Sequence, residues 1–230
     1  MFENIKVIAF DADDTLWINE TYFREAEETF AVLLSKYETK KKIDQELFKT
    51  EIKNLEIYGY GIKGFVLSMI ECALKLSNYK LPQETIEKIL DIGKDMLEKP
   101  IEILDGVEEV LQGLQGKYRL IVATKGDLLD QERKLEKSNL LQYFHHVEVM
   151  SDKKEKDYLK LVKHLDIVPS QFLMIGNSLK SDVLPLLSIN ASAVHVPFHT
   201  TWVHEEIPLE DQQKLDYITL VNIKELIALI

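Results

Sequence analysis

The sequence predicts an α/β protein: a Rossmann-like parallel-sheet core with helices on both faces, plus an inserted all-helical cap domain. Three observations carry that expectation. Short apolar runs alternate with amphipathic helical patterns late in the chain, as they do when crossover helices join the strands of a parallel sheet. A long, almost wholly helical stretch separates the first run from the second. The first run also stops abruptly at Asp11-Ala12-Asp13-Asp14, as a buried strand does when its carboxyl end opens into a cleft.

The apolar runs at 5–10, 119–124, 146–150, 172–175 and 193–197 are the expected strands, with 216–220 as a possible short extra one. Helical patterns at 106–114, 126–137, 154–165 and 179–189 lie between the later strands, and 223–230 reads as a terminal helix. About a hundred residues separate Phe10 from Arg119, too many for one crossover. Within them, 21–41, 44–58, 63–76 and 83–97 carry apolar residues at three- and four-residue spacing. Gly59-Tyr60-Gly61, Ser77-Asn78 and Lys99-Pro100 mark the breaks. Residues 17–100 are therefore expected to form the helical cap, with 1–16 and 101–230 as the α/β core. An insert placed directly after the acidic strand end is suited to act as a lid. The alternative is one thick α/β domain with extra helices. The run Thr39-Lys40-Lys41-Lys42 reads as a solvated helix end.

Composition narrows the partners. The 230 residues carry 28 Lys and Arg against 39 Asp and Glu, a net charge of −11. That balance argues against nucleic acid as a partner, while leaving room for a small anion where a few lysines and a metal are placed locally. Cys72 is the sole cysteine, so neither an intramolecular disulfide nor a Cys-based zinc site is expected. With no signal-like N-terminal pattern and no apolar stretch of membrane-spanning length, the expected setting is cytoplasmic, without a membrane partner. The oligomeric state is not legible.

The chemistry gathers at the expected strand ends. Carboxylates as crowded as Asp11, Asp13 and Asp14 need a cation, a shared proton or good solvation. Crowding separates the pKa values of Asp11 and Asp13, so one suits a nucleophile and the other a proton donor. An aspartate attacking phosphorus forms an aspartyl phosphate. The plainer alternative, that these acids only cap the next helix, asks one cap to use three acids. Thr124 closes the second strand and Lys125-Gly126 follow, a setting for phosphoryl oxygens. After the third strand come Lys153, Lys154 and Lys156. Lys153, nearest the strand end, is the candidate to neutralise charge between a carboxylate and a transferring phosphoryl group. After the fourth come Gly176-Asn177-Ser178 and then Ser181-Asp182. An oxygen-only set from Asp11, Asp13 and Asp182 suits Mg²⁺. Trp17, beside the acidic cluster, is a candidate wall of the substrate pocket.

Asp11-Ala12-Asp13-Asp14-Thr15, then Thr124, a lysine near 153, and Gly176-Asn177-Ser178 with Ser181-Asp182, in this order after successive strands, resemble the haloacid dehalogenase superfamily. The helical insert resembles that superfamily's cap. The resemblance implies Asp11 as nucleophile, Asp13 as general acid and base, and Thr124 and Lys153 as holders of the phosphoryl group. It further implies Mg²⁺ on Asp11, Asp182 and the Asp13 backbone carbonyl, and Thr15 as an orienting residue. Two departures stand out: the fourth motif begins Gly176-Asn177 where the family often has Gly-Asp, and no proline follows the lysines of the third. Dehalogenating members usually lack an acid at the place of Asp13, because a halide leaves without a proton and an alkoxide does not. The expected activity is thus a Mg²⁺-dependent phosphatase acting on a small phosphorylated metabolite. A sugar-phosphate mutase and a non-catalytic protein retaining the fold are the alternatives.

Overall fold

The computed structural model describes residues 2, 4–212 and 216–230; Met1 and Glu3, at the head of the expected core segment, lie outside the described residues. The strands are β1 (Val7–Phe10), β2 (Arg119–Lys125), β3 (His146–Met150), β4 (Phe172–Gly176), β5 (Ser192–His195) and β6 (Ile218–Thr219). The first half of the chain holds helices α1 (Glu20–Leu34), α2 (Lys40–Tyr58), α3 (Ile62–Leu76) and α4 (Gln83–Glu98), followed by α5 (Val107–Leu114). Later come α6 (Leu128–Lys137), α7 (Glu155–His164), α8 (Leu184–Ser188), α9 (Leu209–Gln212) and α10 (Leu226–Leu229).

The six strands form one sheet in the order β3-β2-β1-β4-β5-β6, and every neighbouring pair is parallel. A parallel sheet is covered on both faces, so its central strands are apolar at every position rather than at every second one. In β1 all four residues are buried. Ile8 and Phe10 join Leu120, Val122, Leu173 and Ile175 against α5, Leu135 of α6 and Leu226 of α10. Val7 and Ala9 face the other way, with Ile121, Ala123, Phe172 and Met174, against Tyr158, Leu161 and Val162 of α7 and Leu186 of α8. The two-residue period of the strand therefore builds two hydrophobic cores from one short run.

The chain divides into two compact units. One takes in the chain up to Glu20, Ile101–Lys125 and Glu132–Ile230, and contains the sheet. The other takes in Thr21–Pro100 and Gly126–Gln131. It has its own core, in which Phe30, Leu34, Ile43, Leu47, Met69, Cys72 and Ile89 meet. Among the described residues no helix is long and apolar enough to cross a membrane.

Two expectations about elements are corrected. The stretch 21–41 is not one helix. It breaks after Leu34, and Thr39 takes an extended conformation (φ −71°, ψ 150°) before α2 begins. Lys40–Lys42 thus open a helix rather than end one, with Lys40 and Lys42 paired to Asp44 and Glu46 one turn on. The stretch 179–189 is a π-helical turn over Leu179–Val183 followed by α8. Pro185 has no N–H to continue an i→i−4 ladder, and the wide turn instead brings Asp182 back onto its own loop.

Candidate active site

Every sequence-predicted site residue belongs to the unit that contains the sheet. Asp11 is the first residue beyond β1, held in line by its N–H on the Ile175 carbonyl (2.8 Å). The chain then turns on the Ala12 carbonyl, which accepts from the N–H groups of Thr15, Leu16 and Trp17. Asp14 makes that turn with a positive φ of 60°, a conformation that Asp and Asn tolerate better than most residues. Its carboxylate accepts from the N–H of Asn19 (2.8 Å) and of Glu20 (3.0 Å). Burial raises Asp14 to about 7, against the pull of those two N–H groups. The third acid of the cluster is thus the one that braces the turn.

The centre of the site is a lysine between two carboxylates. Lys153 Nζ lies 2.5 Å from Asp11 Oδ1 and 2.6 Å from Asp182 Oδ1. The Lys153 side chain is 1% exposed. Burial works against its charge, but Asp11 and Asp182 outweigh burial and push it up to about 12. Asp11 is raised to about 7, by burial first; Lys153 pulls it back, while Asp182 and Asp13 add to the rise. Lys154 instead pairs with Asp152 at the surface, and Lys156 is exposed, so of the three candidate lysines Lys153 alone reaches the acids.

Asp182 arrives from the π-helical turn. Its Oδ2 accepts from the Ser178 N–H (3.0 Å) and its own N–H donates to the Ser178 carbonyl (2.8 Å). The fold of that carboxylate over Gly176 explains the glycine: a Cβ there would collide with the Asp182 carboxyl group. Thr15 Oγ1 donates to Asn177 Oδ1 (3.3 Å), tying the first strand-end loop to the fourth.

Asp13 does not share the Lys153 centre. Its Oδ1 accepts from Trp17 Nε1 (2.8 Å) and from Lys134 Nζ (2.9 Å). Trp17 is 1% exposed and packed in the core, with its indole N–H engaged by Asp13. Among the described residues no three His, Cys, Asp or Glu side chains converge in a metal-holding group.

Thr124 is buried at the end of β2 and donates to the Lys125 carbonyl (3.1 Å). Lys125 Nζ is engaged by Glu205 Oε1 (2.6 Å) and Ser181 Oγ (2.9 Å). Glu205 Oε2 in turn accepts from Ser178 Oγ and Ser181 Oγ, both at 2.5 Å. Burial alone would raise Glu205; Lys125 and the two serine hydroxyls reverse it and hold it near 2. Tyr158, buried under the loop, donates to the Ser181 carbonyl (3.0 Å). Lys134, Asn19, Glu205 and Tyr158 are absent from the motif reading. Tyr158 and Lys134 sit inside ordinary helical patterns, and Glu205 closes a short 3₁₀ turn (Val203–Glu205) that follows β5.

Residues 5–190 match the family model for a hydrolase described as haloacid dehalogenase-like. The chain is similar to a haloacid dehalogenase-like family hydrolase from Xanthomonas campestris, at 39% identity over 89% of this chain and 87% of that one, with a TM-score of 0.81. It shares its fold with a haloacid dehalogenase-type phosphatase from Thermococcus onnurineus (20% identity, 98% and 97% of the two chains covered, TM-score 0.63). It likewise shares the fold of a 2-haloacid dehalogenase from Pseudomonas syringae pv. tomato (18% identity, 96% of each chain covered, TM-score 0.62). Comparison with curated proteins gives no match.

Proposed function

The chain belongs to the haloacid dehalogenase-like hydrolases, and from that premise we propose that it is a Mg²⁺-dependent phosphatase acting on a small phosphomonoester. In this reading the Asp11 carboxylate attacks phosphorus, and the bond from phosphorus to the ester oxygen breaks. Asp13 gives its proton to the departing oxygen, so an alcohol leaves. Asp13, now ionised, takes a proton from water as that water attacks the aspartyl phosphate. Asp11 returns as a carboxylate and inorganic phosphate leaves. Lys153, 2.5 Å from Asp11, offsets the repulsion between a carboxylate and an anionic phosphoryl group. Thr124 and Lys125 stand at the adjoining strand end to receive phosphoryl oxygens, the lysine sharing its ammonium with Glu205 and Ser181.

Mg²⁺ fits the donor chemistry. Two buried carboxylates, Asp11 and Asp182, share a single lysine, which leaves one negative charge in excess, and every anionic donor is a hard oxygen. Asp11, Asp182 and the Asp13 backbone carbonyl would hold the ion, which when bound adds positive charge at the transferring phosphoryl group.

The observation that carries the phosphatase reading is Asp13, a second carboxylate fixed by Trp17 and Lys134 two residues beyond Asp11. A halide needs no proton to leave, whereas an alkoxide does. A small phosphorylated metabolite in the cytoplasm is the substrate class proposed. The test is purified protein with p-nitrophenyl phosphate and a panel of alkyl phosphates, with and without Mg²⁺, beside Asp11→Asn. Phosphate release that depends on Mg²⁺ and is abolished by Asp11→Asn is expected. Release that survives Asp11→Asn sinks the mechanism, and phosphate retained in an isomerised product makes the protein a mutase.

A further inference from the structure

We infer that Lys134 and Trp17 are positioning residues for Asp13, and that they hold its carboxyl group in place for the proton transfer to the leaving group. Lys134 lies in the last turn of α6, with a side chain 12% exposed. Its Nζ stands between two acceptors, Asp13 Oδ1 at 2.9 Å and Asn19 Oδ1 at 2.8 Å. Trp17 Nε1 reaches the same Asp13 oxygen at 2.8 Å. An ammonium and an indole N–H are donors only, so the two together anchor the Asp13 carboxyl group through that one oxygen.

The support continues one layer further. Asn19, the second acceptor of Lys134, is held through its backbone N–H by Asp14 Oδ1 (2.8 Å). Asp14 thus steadies Asn19, Asn19 and Asp13 together hold Lys134, and Lys134 with Trp17 orients Asp13. Neither Lys134 nor Asn19 has any part in the attack on phosphorus. Their contribution is confined to the proton transfer, and it follows that their importance depends on how much the leaving group needs a proton.

The inference rests on the phosphatase reading, with Asp13 as the acid. The experiment measures kcat/KM of wild type, Lys134→Met and Trp17→Phe with two esters and Mg²⁺ present. p-Nitrophenyl phosphate releases a stable phenolate, whereas glycerol 2-phosphate must release an alcohol. Lys134→Met is expected to lower the alkyl rate about 100-fold, and the aryl rate roughly tenfold less than that. Trp17→Phe should shift the ratio of the two rates in the same direction. A partly folded sample lowers both rates in proportion, so the ratio survives a loss of stability. Lys134→Arg, which keeps the charged donor, should bring the ratio back toward wild type. An unchanged ratio overturns the inference, whether both rates fall together or neither falls, and leaves the phosphatase reading intact. A wild type that hydrolyses neither ester removes that reading and this inference with it.

Discussion

Two lysines near the carboxyl end of the sheet are held by carboxylates in opposite ways. Lys153, its side chain 1% exposed, stands between Asp11 and Asp182, one cation for two anions. Lys125, its side chain 14% exposed, meets the carboxylate of Glu205, which two serine hydroxyls also satisfy. The acids answer accordingly. Asp11 is raised to about 7, because burial and its acidic neighbours outweigh one shared lysine. Glu205 is just as removed from water, yet its donors hold it near 2. A buried carboxylate with enough donors is a closed unit that fixes structure, and a buried pair with too few is an open one that calls for positive charge from outside. In the proposed mechanism that open centre is where the phosphoryl group and Mg²⁺ meet the protein.

Removing the shared cation tests the open centre most severely. Lys153→Met keeps the chain length but leaves Asp11 and Asp182 facing each other without compensation. Breaking a buried ion pair from one side costs about 3–5 kcal/mol, and the urea midpoint should fall accordingly. Phosphatase activity should vanish with it. Adding Asp182→Asn removes one of the stranded charges, so the double variant should regain stability without regaining activity. A Lys153→Met protein as stable as wild type would mean that the centre is held by packing rather than by charge.

The closed unit is expected to respond less. Glu205→Gln preserves shape but gives up the charge that Lys125, Ser178 and Ser181 share. The loss should be about 3 kcal/mol near neutral pH, comparable with a charged group's hydrogen bonds and read by the same urea titration. Activity per folded molecule should fall less than in Lys153→Met, because Asp11, Asp13, Lys153 and Asp182 all remain.

The sequence made the open centre legible and hid the acid of the closed one, for a physical reason. Asp11 and Asp182 follow apolar runs at strand ends, where a buried strand's abrupt stop marks the cleft side. Lys153 was legible only by its distance from a strand, and its neighbours Lys154 and Lys156 differ from it in burial, which no local pattern encodes. The sheet was readable for the same reason as its two cores: short apolar runs that alternate with helices must be covered on both faces. The break between α1 and α2 carries neither glycine nor proline, so the periodicity ran through it. Glu205 and Lys134 act across many residues of chain, Glu205 from a short 3₁₀ turn and Lys134 from a helix whose spacing it fits as a solvated position. What joins them to the site is tertiary proximity, and a run of residues does not contain that.

The finest distinction between the two lysine centres is in acid. The folded-state pKa of Glu205 lies near 2, below the ordinary glutamate value of 4.5. A depressed carboxylate contributes stability that is fully present above its unfolded value and is lost as pH falls toward its folded one. Asp11 and Asp14, raised to about 7, have the opposite sign: their burial as carboxylates costs stability that protonation returns as pH falls through about 7. Those raised acids are common to wild type and Glu205→Gln, and they cancel when the two are compared. The wild-type advantage over Glu205→Gln should then narrow by about 2 kcal/mol between about pH 6 and about pH 3, since the unfolded chain takes up a proton there that the folded one refuses. Paired urea titrations across that range measure the difference directly. A gap that stays constant would show that Glu205 is not held as an anion by Lys125 and the serines, and the contrast with the Lys153 centre would fail at its weaker end.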